Sequence, residues 1–158
     1  MKYNVPLIPQ THINSCWAAS IAMILGWKKQ MSTSDDIIAR NAGGRNYMTS
    51  SITGLDPNDK YILRANGFKA LAPQCYTSGG INALLSSSGP LWVATWAPGP
   101  HIRVVTGLQG NTVFINDPSP VNMGSRYTQS FNQFFGSMES LGAREFSEPS
   151  PVYIAHLF

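Results

Sequence analysis

The sequence predicts an α+β protein, helices first and an antiparallel β-sheet after them. Up to about residue 87, apolar residues recur at helical spacing behind cap-forming residues. From about residue 90, short runs rich in Val, Ile and Thr are separated by turn residues. No internal repeat or low-complexity tract breaks this order, so the helices are expected to pack on the sheet in two layers. The 158 residues, 43% of them hydrophobic, suit one domain over residues 1–158, with a helical part at about 14–87 and a sheet part at about 90–158.

Residues 5–10 are extended and carry two prolines. The first helix is expected to start near Ser15. Asn14 and Ser15 are cap formers, and Trp17, Ile21, Ile24, Leu25 and Lys28 follow at helical spacing, with Gly26 leaving the end open. Ser34 caps a second helix whose first turn holds Asp35 and Asp36, and Gly43–Gly44 stop it. After a polar loop, Asp56 and Pro57 open a third helix reaching about Asn66–Gly67. A fourth short helix covers about 80–87.

Residues 91–97 read as a buried strand. Residues 101–108 and 112–117 read as a hairpin turning at Gln109–Gly110–Asn111. A Ser/Pro/Gly-rich loop follows, then a short helix around Phe131, Phe134 and Phe135, and a final strand over 152–157. Trp92, Trp96, Tyr47 and Phe68 are read as core residues rather than as the lining of a substrate groove.

Composition excludes several classes. Charged residues make up only 12%, about half the usual ~25%. The net charge is +3 and the eleven Lys and Arg are scattered, so there is no footprint for nucleic acid or a membrane surface. No apolar run reaches the ~18 residues of a membrane span. The N-terminus lacks the apolar core and cleavage site of a Sec signal peptide. Cys16 and Cys75 do not make a disulfide framework, and no ligand cluster calls for a metal or other cofactor.

Cys16 stands out because it falls at a predicted helix N-terminus, where free N–H groups and the helix dipole favour a thiolate nucleophile. Gln10, six residues upstream, carries an amide able to donate to an oxyanion, with the Cys16 N–H as second donor. Of three histidines, His12 sits awkwardly in the loop before Cys16, and His156 has no acidic neighbour. His101 opens a strand that the turn brings back alongside Asn116 and Asp117, either of which could orient its ring. Strand parity chooses between them. A three-residue loop sets Arg103 opposite Asp117 and places Asp117 diagonally from His101. A two-residue loop gives that place to Asn116, and a bulge reverses either result. Geometry alone leaves both open.

These residues resemble a known family. The stretch VPLIPQTHINSCWAASIAMILG resembles the nucleophile region of papain-like cysteine peptidases, with Gln10 at the oxyanion spacing and Cys16-Trp17-Ala18 starting the central helix. GPLWVATWAPGPHIRVVTGLQGNTVFINDPSP resembles the histidine hairpin of the compact bacterial branch, and SFNQFF a short helix that follows it there. The likeness runs from about Val5 to Phe135, weakest over residues 43–72. It is greatest to effector cysteine proteases of plant-pathogenic bacteria, with bacteriocin-leader peptidases as more distant cousins.

The resemblance implies a papain-like fold, a Cys16–His101–Asp117 triad with Asp117 preferred to Asn116, Gln10 in the oxyanion hole, and no cofactor. It further implies a protein or peptide substrate in a target cell, a monomer, a cognate inhibitor or immunity protein as a further partner, and export by a non-Sec route into the target-cell cytoplasm. Such effectors carry a targeting and self-processing segment, and only nine residues precede Gln10 here. The chain is therefore expected to be a processed or trimmed form, or a bare toxin domain. Rival readings are a same-triad glutamine deamidase or transglutaminase, a cell-wall amidase, a leader-processing peptidase, and a catalytically dead binding module.

Overall fold

A computed structural model describes residues 1–41, 55, 60–72, 74–95, 100–136 and 152–158. Its helices are α1 (Cys16–Lys29), α2 (Asp35–Asn41), α3 (Lys60–Ala65) and α4 (Ser78–Ser88). Its strands are β1 (Phe68–Ala70), β2 (Leu91–Thr95), β3 (His101–Gln109), β4 (Thr112–Asp117), β5 (Ser125–Ser130) and β6 (Tyr153–Leu157), with a π-helical turn at Asn132–Gly136. The strands form one antiparallel sheet in the order β1-β6-β2-β3-β4-β5.

Helix α1 is buried on all sides from Cys16 to Gly26, as expected of a helix apolar all round. It packs with α2, α3, Phe68, Trp92, Ile102 and Val104 on one face of the sheet. Alternation along β2 sends Leu91 and Val93 to the other face. There they meet Ile81 and Leu85 of α4 and Phe134 and Phe135 of the π-turn. The expected two layers are thus three, because α4 and the π-turn cover the sheet's second side. Trp92 and Phe68 are core residues; Tyr47 and Trp96 lie outside the described residues.

Local chemistry explains the element ends. Ser34 caps α2 through its Oγ on the Ile37 N–H, at 3.3 Å. Thr77 caps α4 on Gly80 N at 3.1 Å. Ser15 occupies the cap position of α1 but makes no side-chain cap bond, because its hydroxyl is engaged elsewhere. Gly26 does not end α1. It is glycine where a Cβ would press on Pro6 at 3.3 Å and on the Met31 carbonyl at 3.4 Å. The predicted stop at Gly43–Gly44 and the cap at Asp56–Pro57 fall outside the described residues.

Two strands are additions to the sequence reading: β1 inside the stretch read as helical, and β5 inside the stretch read as loop. The β3–β4 hairpin carries the register that matters. Gln109 pairs with Thr112, so the loop is the two-residue Gly110–Asn111, with Gly110 at φ +57. By parity alone this loop would favour Asn116. The register, however, shifts between Val105 and Gly107, and the extra residue, Thr106, restores the pairing in which Arg103 lies across from Asp117. The N-terminal segment runs along β3 at this bulge. Lys2 bridges Gly107, Tyr3 N donates to the Thr106 carbonyl at 2.8 Å, and a Cβ on residue 107 would lie 2.5 Å from the Met1 carbonyl oxygen.

Candidate active site

Cys16 is the first residue of α1 and is 8% exposed. Two contacts seat this helix end on the sheet. The Trp92 indole N–H donates to the Trp17 carbonyl at 3.2 Å. Ser20, one turn after Cys16, donates through Oγ to the carbonyl of Ile102 at 3.3 Å, the residue beside His101. Sulfur and imidazole meet as a result, and the hydrogen bond and charge of Cys16 both act on His101.

His101 Nε2 lies 2.6 Å from Asp117 Oδ1, which leaves Nδ1 for the thiol. Burial pulls the imidazole pKa down, but the Asp117 bond and the bond and charge of Cys16 outweigh it and lift the pKa to about 9. His101 is therefore an imidazolium at neutral pH.

Asp117 accepts from four donors. His101 and the Ser119 N–H, at 2.9 Å, share Oδ1. Arg103 Nε at 3.1 Å and the Tyr127 hydroxyl at 2.9 Å share Oδ2. Burial alone would raise this carboxyl, but His101, the Ser119 N–H and the Arg103 charge hold it below the usual carboxylate range. Burial, helped by the carboxylate and opposed by Arg103, pushes the Tyr127 hydroxyl well above an ordinary phenol, so it remains a donor. Arg103 is itself buried, and its guanidinium lies 5.8 Å from the centre of the Phe134 ring.

Asn116, the alternative orienting residue, is turned away from His101. Its Nδ2 donates to the Val5 carbonyl at 3.1 Å. His12 bonds through Nδ1 to Thr11 Oγ1 at 2.9 Å, and His156 lies on β6, through Nδ1 near its neighbour's carbonyl at 2.7 Å. Neither approaches Asp117.

Gln10 is 2% exposed in the loop leading to Cys16. Its Nε2 donates to the carbonyls of His12 at 2.8 Å and Ile13 at 2.9 Å, so both amide hydrogens are engaged inside the loop. Its Oε1 has no partner among the described residues. The backbone of Gln10 ties the loop to the segment after Asp117: its N–H donates to the Pro118 carbonyl at 3.0 Å, and its carbonyl accepts from Asn122 at 2.8 Å.

Arg103 and Tyr127 are the side chains at this site that motif reasoning did not single out. The sequence offered one signal: the three-residue-loop register already placed Arg103 opposite Asp117. Tyr127 carried none, because its strand was not read as a strand.

A buried thiol at a helix tip, facing an imidazolium that a carboxylate grips from behind, is how a sulfur is set up to attack a carbonyl. On a helix packed against an antiparallel sheet, it defines a papain-like cysteine peptidase. The chain matches the model of the peptidase C70 family, described as papain-like cysteine protease AvrRpt2, over residues 1–139, and it belongs to that family. No curated protein sequence matches it.

Among the solved structures that share the fold are two peptidases of transporters. One is a double glycine motif protease from an AMS/PCAT transporter in complex with its leader peptide: TM-score 0.60, 18% identity, covering 99% of this chain and 94% of that one. The other is the peptidase domain of Streptococcus ComA, a bifunctional ABC transporter of a quorum-sensing pathway: TM-score 0.64, 18% identity, covering 98% of this chain and all of that one.

Proposed function

We propose that this cysteine peptidase hydrolyses peptide bonds of target-cell proteins through a Cys16–His101–Asp117 triad, as a bacterial effector or toxin domain exported by a non-Sec route. The observation that carries the triad is His101, bonded at 2.6 Å to Asp117 on one nitrogen and interacting with Cys16 on its other side. Charge supports it as well. Asp117 lies between the cations of His101 and Arg103, and a Cys16 thiolate makes this buried group of four neutral, which limits the cost of its burial.

Cys16 Sγ attacks the scissile carbonyl, and the carbonyl π-electrons move onto oxygen. The Cys16 N–H and the Gln10 amide stabilise that oxyanion, with Gln10 sharing one hydrogen now directed at the His12 or Ile13 carbonyl. His101 gives its proton to the amine as the C–N bond breaks. Water then loses a proton to His101, its oxygen attacks the thioester carbon, and Sγ leaves. Asp117 keeps one ring orientation throughout and stabilises the imidazolium.

Membership of the AvrRpt2 family supports the effector role and a target-cell protein substrate. New N-termini in a target-cell lysate should appear with wild type and vanish with Cys16→Ala, a loss of at least ~10⁴-fold in turnover. Cleavage by Cys16→Ala at the wild-type rate would end the assignment. If wild type instead leaves chains intact but adds about 1 Da at glutamines, the same site is a deamidase. Processing of a double-glycine leader peptide is a second reading, favoured by the fold shared with the transporter peptidase bound to such a peptide. Incubation of the protein with a double-glycine precursor checks it directly.

A further inference from the structure

Asp35 is a carboxylate with no exposed surface, in the first turn of α2. A first-turn acid helps a helix dipole from the surface; full burial costs far more than that gain unless the carboxylate is bonded. Asp35 Oδ1 accepts from the Asp36 N–H at 2.9 Å. Three groups converge on its Oδ2: the Thr11 N–H at 2.7 Å, the Thr11 hydroxyl at 2.8 Å and the Ser15 hydroxyl at 2.7 Å.

Thr11 follows Gln10 directly, and Ser15 directly precedes Cys16. One carboxylate oxygen thus gathers both ends of the loop between the two oxyanion donors. The inside of the loop closes on the same residues. His12 N–H donates to Ser15 Oγ at 3.0 Å, Ser15 N–H donates to the His12 carbonyl at 3.2 Å, and Gln10 Nε2 reaches the His12 and Ile13 carbonyls. This also explains why Ser15 does not cap α1: its hydroxyl faces Asp35 and the His12 backbone.

We propose that Asp35 is a positioning residue for acyl transfer, holding the 10–16 loop so that the Gln10 amide and the Cys16 N–H meet the developing oxyanion. It touches no reacting atom and acts through Thr11 and Ser15. The proposal rests on the oxyanion roles assigned above and adds to them the device that fixes the donors.

Two reactions of the same thiol separate this role from a merely structural one. Alkylation by iodoacetamide needs the activated sulfur but no oxyanion hole; acylation by p-nitrophenyl acetate needs both. Asp35→Asn removes an acceptor from three donors. It should slow the acylation burst by about 10²-fold while alkylation of Cys16 falls less than about 3-fold, because a misplacement of about 1 Å is enough for such a loss. Thr11→Val and Ser15→Ala each remove part of the same contact and should show the same selective loss, about 3–10-fold, should Asp35→Asn fail to fold. Proportional loss of both reactions, or an unchanged burst in the three variants, would overturn the proposal. A wild type that gives no burst yet is alkylated at Cys16 would overturn the acyl-transfer reading and the proposal with it. A burst in wild type that persists in Cys16→Ala would show acylation at another group and would overturn the Cys16 acyl-transfer reading and the proposal with it.

Discussion

On the sheet side of the site, Asp117 sits between an imidazolium and a guanidinium, with a phenol and a backbone N–H completing its shell. On the helix side, the loop from Gln10 to Cys16 is fastened by neutral donors on Asp35 and by amide-to-carbonyl bonds. Both carboxylates are buried, but one is embedded in charge and the other in hydroxyl and amide groups. The sheet side should therefore respond to pH and the helix side to geometry. Variants on the two sides ought to fail in different ways.

Asp117→Asn should have the larger effect, about 10²–10⁴-fold in turnover, as for the orienting acid of other triads. It should also move the pH profile. His101 owes part of its pKa of about 9 to Asp117, so losing that charge lowers the imidazole pKa, and the alkaline limb of kcat/KM should shift from near 9 toward neutral. Stability follows the same group. A pKa raised from 6.5 to about 9 means that His101 contributes stability in full below pH 6.5 and loses it as pH rises through 9. Melting temperature across that window should fall in wild type and stay flatter in Asp117→Asn. Equal slopes would show that the ion pair does not govern stability there.

Gln10→Ala is the counterpart on the helix side. It should lower turnover by about 10²–10³-fold, the usual cost of one oxyanion donor, and leave the alkaline limb near 9. A shifted limb would mean that the two sides are electrostatically coupled and that the contrast drawn here is too sharp. Unchanged turnover would leave Gln10 with the task the structure shows, holding the loop through His12 and Ile13.

How much of this was legible in the sequence follows the range of the forces involved. Helix α1 and strands β2 to β4 announced themselves through apolar periodicity and turn residues; Cys16 was a candidate from its place at a helix tip, His101 from the hairpin that sets it near an acid, and Gln10 chiefly from the resemblance. What the sequence hid were long-range partnerships. The three residues of β1 are a strand only because β6 pairs with them from the other end of the chain. The polar run of β5 is an edge strand held by β4, and with it came Tyr127. Asp35 reads as an ordinary first-turn acid until the fold brings Thr11 and Ser15 to it. Geometry could not choose between Asn116 and Asp117, which only the resemblance preferred, because the choice turned on one bulged residue beside an N-terminal segment that lies against Gly107, and no local pattern of the hairpin encodes it.

That bulge has its own test, the smallest in expected effect on activity. With Thr106 as the extra residue, Asn116 faces the N-terminal segment and donates to the Val5 carbonyl. Arg126 Nη2 reaches the same carbonyl at 3.2 Å, so removing the amide does not orphan the oxygen. Asn116→Ala should then cost about 1 kcal/mol of stability, the net worth of one hydrogen bond, as measured by urea unfolding. Turnover should stay within about 3-fold of wild type, a loss of under 1 kcal/mol in barrier, with no movement of the alkaline limb. The paired comparison is what gives the measurement its force: Asn116 and Asp117 are neighbours on one strand and present opposite faces. If Asn116→Ala reduced turnover as far as Asp117→Asn, the hairpin in solution would have the unbulged register, in which position 116 shares a face with His101.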